Sequence, residues 1–197
     1  MDLRHPLPYP FFDRDPREVA PALLGCTLVS TAGGVRTGGV IVETEAYLGQ
    51  NDPGSHAATR GITPRNAVMY RRPGTVYVYF TYGCHHMLNI VCCPQGSAGA
   101  VLIRALEPTV GIQAMSERRA GRTGVDLANG PGKLASALAI DLSDNGDMLE
   151  EGRLTVYDAA RSDPSRIATG GRVGLSKGRE LPYRYYLKDS AAVSRAR

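Results

Sequence analysis

Residues 42–49 read Val42-Glu43-Thr44-Glu45-Ala46-Tyr47-Leu48-Gly49. In an extended chain successive side chains point to opposite faces, so Glu43, Glu45 and Tyr47 share one face while Val42, Thr44, Ala46 and Leu48 share the other. Two carboxylates on one face of a strand are costly to bury. A solvated edge strand would accommodate them; Tyr77, Tyr79 and Tyr82 clustered in a second segment and Arg104 in a third point instead toward a site.

Working outward, Ala32-Gly33-Gly34 turns the chain between a short apolar run (26–30) and a longer strand (35–48), so the acidic stretch lies on the second arm of a hairpin. Upstream, Asp15-Pro16 pairs an acidic N-cap with proline at the first helical position, predicting a short helix that closes at Gly25. Downstream, Gln50 to Asn66 is rich in turn formers and predicts a long surface loop, of a length that is usually functional or disordered. Residues 75–82, 87–93 and 100–105 read as three strands separated by turns at 83–86 and 94–99, an antiparallel meander. Helices are predicted over 110–120 and 131–140, and late strands over 154–157 and 183–187. An antiparallel sheet with helices before and after it predicts an α+β fold, one domain over residues 1–197. Gly130-Pro131-Gly132-Lys133 is followed by Leu134 and lacks the spacing of a phosphate loop; it reads as a turn and a helix start.

The 197 residues are 43% hydrophobic and 21% charged, the balance of a globular protein with its own core. No apolar run approaches the length of a membrane span, and the first residues are proline-rich with no apolar signal core, so no membrane association and a cytoplasmic location are expected, nucleoid-associated if the source is bacterial. Cys26, Cys84, Cys92 and Cys93 form no C-x-x-C pair and suit neither a disulfide framework nor a zinc site. Of 23 basic residues only Lys133, Lys177 and Lys188 are lysines. Arginine's planar fork suits phosphate oxygens, although a GC-rich coding sequence produces the same bias. The run Arg118-Arg119 to Arg122 fits a solvated helix end or a phosphate contact.

Ten tyrosines stand against three phenylalanines and no tryptophan, and Tyr77, Tyr79 and Tyr82 fall within one predicted hairpin. Core packing is the default role of aromatic residues in a strand. Tyr82, beside Gly83 at the turn, is poorly placed for a core and well placed to wedge between stacked bases. Asn89 on the returning strand offers a donor and an acceptor for a base edge. His56 lies in the polar loop, within reach of Glu45 where that loop folds back; His85 and His86 are adjacent and diverge on an extended segment. A carboxylate near an arginine, here Glu45 with Arg104, can orient and deprotonate a water, which is hydrolytic chemistry without metal. Two rival readings use the same residues. Glu43, Glu45 and Asp52 would make hard oxygen ligands for the divalent ion of a nuclease, and Tyr82 with the arginines would serve a catalytically inert module that binds distorted DNA.

Several long motifs, in one order and with their spacing kept, carry a resemblance. They are V-E-T-E-A-Y-L-G with His56, T-P-R-N at Thr63 to Asn66, P-G-T-V-Y-V-Y at Pro73 to Tyr79, Tyr82-Gly83 and Met87-x-Asn89-Ile90. L-I-R-A-L-E-P at Leu102 to Pro108, N-G-P-G-K-L at Asn129 to Leu134 and R-V-G at Arg172 to Gly174 continue the pattern over nearly the whole chain. The sequence resembles the alkyladenine (methylpurine) DNA glycosylase family. That resemblance implies base excision repair of alkylated or deaminated purines in double-stranded DNA, by hydrolysis of the N-glycosidic bond, with no cofactor, no metal and no covalent lysine intermediate, carried out by a monomer. It implies Glu45 as the catalytic base, with Arg104 and the backbone carbonyl of Val173 holding the water. The flipped base would stack between Tyr47 on one side and His56 and Tyr79 on the other, with Asn89 beside it disfavouring guanine's amino group. Tyr82 would be the intercalating residue of a protruding hairpin.

Overall fold

The computed structural model describes residue 3 and residues 5–58, 61–149, 151–158 and 163–194. Among the described residues eight strands form one antiparallel sheet flanked by three short helices, the expected α+β class. The strands are β1 (Thr27–Ser30), β2 (Thr37–Tyr47), β3 (Val76–Thr81), β4 (His85–Val91), β5 (Ala100–Val110), β6 (Leu154–Tyr157), β7 (Ile167–Gly170) and β8 (Arg184–Leu187). The helices are α1 (Pro16–Ala22), α2 (Ile112–Arg118) and α3 (Pro131–Ala137). Along the sheet the order is β3-β4-β5-β2-β1-β6, with β8 on β2 and β7 on β8. Among the described residues no helix is long and apolar enough to cross a membrane.

The acidic strand β2 lies in the middle of this sheet. β5 pairs with it from Gly38 to Tyr47, while its other edge is shared: β1 covers it up to Val40 and β8 covers Glu43 to Glu45. The alternation expected from the sequence holds. Val42 and Ala46 enter the main apolar core, and the Thr44 hydroxyl donates to the Ala20 carbonyl of α1 at 2.9 Å, so this face is closed by α1. Glu43, Glu45 and Tyr47 project from the opposite face. Fully burying a side chain such as Ile41, Ile90 or Ile103 is worth roughly 1.5–3 kcal/mol, and all three are fully buried in the core that anchors β2.

β5 runs beyond the expected 100–105 and continues past Pro108. Proline removes a ladder donor, and here it falls beside a register shift between Gly38 and Gly39, where the ladder is already irregular. Gly39 permits the approach: a Cβ there would lie 2.3 Å from the Glu107 carbonyl oxygen. α1 begins at Pro16 as predicted, with the Asp15 carboxylate accepting from the Arg17 N–H at 2.8 Å.

The long loop after β2 is built back onto the sheet. The Asn66 side chain donates to the His56 carbonyl at 3.1 Å and the Gly61 carbonyl at 3.2 Å and accepts from the Thr63 N–H at 2.6 Å. Ala57, Val68 and Met69 beneath it form a second apolar cluster with Tyr77, Val91 and Ala100. Arg118 corrects the expectation of a solvated helix end. Its guanidinium donates to the Thr37 hydroxyl at 3.1 Å and to the carbonyls of Ala137 (3.2 Å) and Ala32 (3.1 Å), tying α2 to α3 and to the start of β2.

Candidate active site

Neither glutamate of β2 has any solvent exposure. Glu43 Oε1 accepts from Arg104 Nε at 2.9 Å, Arg184 Nε at 2.7 Å and the Ser194 hydroxyl at 2.9 Å, and Oε2 accepts from the Ser194 N–H at 2.6 Å. Glu45 Oε1 accepts from the Val173 N–H at 2.7 Å and lies 3.2 Å from Arg104 Nη1, and Oε2 accepts from the Tyr47 hydroxyl at 2.8 Å. Two carboxylates thus face two guanidiniums, a balance that lets all four be buried together. Burial works against the Arg104 charge, and the two glutamates outweigh it, raising its pKa. A carboxylate offers about four lone-pair sites; Glu45 fills three with Arg104, Tyr47 and Val173, leaving room for one more donor.

The Tyr47 ring is held from behind by an ion pair that the sequence reading did not assign. Arg172 donates to Asp52 through Nη1 and Nη2, both at 2.6 Å, and to the carbonyls of Ala46 and Gly178, both at 3.0 Å. Its guanidinium carbon lies 4.7 Å from the centroid of the Tyr47 ring and 5.3 Å from that of Tyr183. Gly54 and Gly178 make space for it, since a Cβ on either would come within 3.0 Å of Nη2. Burial pushes the Tyr47 pKa well above its ordinary value, and the Glu45 charge and hydrogen bond push the same way, so the phenol is a proton donor to the carboxylate.

In front of Tyr47 is a narrow cleft lined by His56, Tyr77, Tyr79, Asn89 and Leu175. It continues into a wider groove that reaches Arg65, Tyr82, Arg104, Val173 and Gly174. Aromatic walls with a few convergent polar groups suit a flat ring system. His56 and Tyr79 meet edge to face with centroids 4.6 Å apart. Burial, and then the Arg65 charge, lower the His56 pKa to about 4, so the ring is neutral at pH 7. Arg65 Nη2 lies 3.4 Å from Nε2, and because arginine can only donate, the ring proton belongs on Nδ1, 2.8 Å from the Tyr77 hydroxyl. Asn89 directs its amide nitrogen to the carbonyls of Tyr77 (3.2 Å) and Met87 (3.4 Å), leaving its own carbonyl as the group available to the cleft.

Tyr82 stands apart from these walls. β3 and β4 form the expected hairpin, with Thr81 opposite His85, so the turn is Tyr82-Gly83-Cys84 and the returning strand starts two residues earlier than predicted. Tyr82 has φ +53° and Gly83 φ +68°, and the tyrosine is 74% exposed. A left-handed backbone is uncommon for a bulky residue and marks a conformation imposed by the tight turn.

The structure therefore brings Tyr47, His56, Tyr79 and Asn89 around one cleft and Arg104, Val173 and Tyr82 onto its outer groove, with Glu45 fully buried behind Tyr47, Arg104 and Val173. Val173 reaches Glu45 through its N–H. Asp52 is separated from the two glutamates by its commitment to Arg172, and among the described residues no three His, Cys, Asp or Glu side chains group as metal ligands. The roles of Glu43, Arg172, Arg184 and Ser194 escaped the sequence reading. The one local signal was an arginine directly before Val173 in the R-V-G motif.

Comparison with known proteins points one way. Relatives provisionally named 3-methyladenine DNA glycosylase include one from Chlorobium luteolum, 50% identical over 188 residues that cover 95% of each chain. Another, from Rhodopseudomonas palustris, is 48% identical over 94% of this chain and 86% of its own. A third, from Methanoculleus marisnigri, is 46% identical over 96% of this chain and 98% of its own. The sequence profile of the Methylpurine-DNA glycosylase (MPG) family matches residues 10–191, and the chain belongs to that family.

Proposed function

We propose that this protein is a monofunctional DNA glycosylase of base excision repair, a monomer that flips damaged purines out of double-stranded DNA in the cytoplasm and hydrolyses their N-glycosidic bond. The substrates are the 3-methyladenine, hypoxanthine and ethenoadenine class. One observation carries the reading: a buried carboxylate, Glu45, is fixed by Arg104, Tyr47 and Val173, and Tyr47 is itself one wall of an aromatic cleft.

Extrusion of a base costs a few kcal/mol and least where pairing is already weakened. Tyr82, at the exposed tip of the hairpin, would fill the space that the base leaves. Stacking on Tyr47 and against His56 and Tyr79 is worth roughly 1–3 kcal/mol per base, and an alkylated, cationic purine gains a cation–π contribution as well. Asn89, with its carbonyl toward the cleft, would meet the edge of the base.

In the chemical step the base leaves with the electron pair of the glycosidic bond, the sugar develops positive charge at C1′, and water attacks that carbon while its proton passes to Glu45. A neutral base such as hypoxanthine also takes up a proton as it departs. The water would be held between Glu45, Arg104 and Val173, using the fourth lone-pair site of the carboxylate.

The test is a duplex carrying one deoxyinosine or ethenoadenine, incubated with the protein in chelator and analysed for free base and an alkali-labile abasic site. Glu45→Gln should lower the rate by about 10²–10⁴-fold while binding to abasic-analogue DNA stays near wild type. Wild-type turnover in that variant would remove Glu45 as the base; cleavage restored only by magnesium would favour a nuclease.

A further inference from the structure

We infer that Ser194, beyond the family-matched segment 10–191, is a positioning residue of the active site: together with Glu43 it fixes the Arg104 guanidinium against Glu45. The inference rests on the glycosylase reading for the meaning of that placement, though not for the placement itself.

Arg104 is held at three points. Nε donates to Glu43 at 2.9 Å, Nη2 donates to the Ser194 hydroxyl at 3.1 Å, and Nη1 is left toward Glu45 at 3.2 Å. Two anchors on the side away from Glu45 thus define the plane of the guanidinium, and the third nitrogen points where the water would be held. A long side chain with many rotamers needs such anchors to present one nitrogen consistently.

Ser194 is built into this arrangement with every polar group it has. Its hydroxyl accepts from Arg104 and donates to Glu43 Oε1 at 2.9 Å, its N–H donates to Glu43 Oε2 at 2.6 Å, and its carbonyl accepts from Arg184 Nη2 at 3.0 Å. Arg184, on β8, fills the remaining demand of Glu43 at 2.7 Å. The segment after β8 therefore folds over the buried charges as their last set of partners.

Arg104 also has somewhere to go when the anchor is lost. It lines two grooves, one on the Tyr82 and Val173 side and a second bounded by Asn129, Pro131, Lys133 and Ser194. Removing the Ser194 hydroxyl opens the second groove to the guanidinium, which can then turn from Glu45.

The experiment compares Ser194→Ala, Ser194→Thr and Glu43→Gln with wild type in the full chain. Single-turnover excision at saturating enzyme is measured alongside the Kd for duplex with an abasic analogue and the 15N signal of the Arg104 side-chain Nε–H. Ser194→Ala should slow single turnover about tenfold, as expected for one lost hydrogen bond to a charged group, with Kd within about twofold. Ser194→Thr, which keeps the hydroxyl, should recover most of the rate, and the Nε–H should exchange faster only in Ser194→Ala and Glu43→Gln. A Ser194→Ala rate within twofold of wild type, or an unchanged Nε–H exchange, overturns the inference. So does a parallel loss of rate, affinity and thermal stability without rescue by threonine. Failure of the wild type to release any base instead overturns the glycosylase reading, and the Nε–H comparison still decides whether Ser194 anchors Arg104.

Discussion

Asp52→Asn strips a fully buried guanidinium of its counter-charge. Asp52 and Arg172 form a bidentate pair at 2.6 Å, neither side chain exposed, and a neutral amide in place of the carboxylate would leave the guanidinium without its counter-charge. Removing one member of a buried pair typically costs about 3–5 kcal/mol, and at this chain length 1 kcal/mol shifts the melting temperature by roughly 2–4 °C, so a fall of roughly 6–20 °C is expected. Adding Arg172→Met should restore much of the loss, because the stranded charge goes with its side chain, and a double-mutant cycle would report the coupling. Burial pushes the Asp52 pKa up, but hydrogen bonds from Arg172, Leu48 and Gly54 and the Arg172 charge outweigh it and hold it below its usual value. A depressed carboxylate contributes stability that is fully present above the unfolded pKa of about 3.9 and is lost as pH falls through the lower native value. The difference between wild type and Asp52→Asn should therefore persist from neutral pH to about 4 and narrow below it. Calorimetry or urea melts at pH 7 and at successively lower pH measure both quantities. A single-variant loss under about 1 kcal/mol at pH 7, or a double variant no better than the single, would refute the argument from a buried, uncompensated charge.

Two further outcomes are specific. Tyr82→Ser should weaken retention of a flipped ethenoadenine roughly 5- to 150-fold, the equivalent of about 1–3 kcal/mol of lost stacking, with the melting temperature nearly unchanged because the side chain is exposed; unaltered ethenoadenine fluorescence kinetics would count against the wedge. His56, lowered to about 4 by burial and the Arg65 charge, should show no ring titration by NMR between pH 8 and 5. A native pKa below the unfolded value means that stability falls as pH drops from about 6.5 toward the native value. Arg65→Gln should move the ring's titration upward; a midpoint near 6.5 in the wild type would contradict the buried, arginine-flanked environment.

The parts of the fold that were legible in the sequence are the local ones. Period-two alternation in 42–49 places Glu43, Glu45 and Tyr47 on one face, and Tyr82-Gly83 between β-forming runs marks the hairpin tip. What could not be read was why the acids are buried, because their partners arrive from elsewhere: Arg104 lies 61 residues from Glu43, Arg184 lies 141 away, and Arg172 lies 120 from Asp52. Spacing along the chain does not encode those meetings. β7 was missed because its four residues are short and only half-buried or exposed, which leaves no alternation to detect. Arg118 looked like part of a basic run, and only the packing of α2 against α3 and β2 turns it into a tether. The resemblance implies roles for Glu45, Tyr47, His56 and Tyr79 by position and says nothing of the Glu43–Arg184 and Asp52–Arg172 pairs packed around them.

The divided edge of β2 has a consequence for how the protein is made. Its first half finds β1 within a hairpin, but the half carrying Glu43 and Glu45 has no partner on that side until β8 is synthesised, 141 residues after Glu43 at Arg184. On a ribosome that segment waits as an open strand, the kind of template that invites pairing with a neighbouring chain. Like charges directly opposite one another are destabilising, so two carboxylates on that strand would work against its pairing with a second copy of the same segment before β8 arrives.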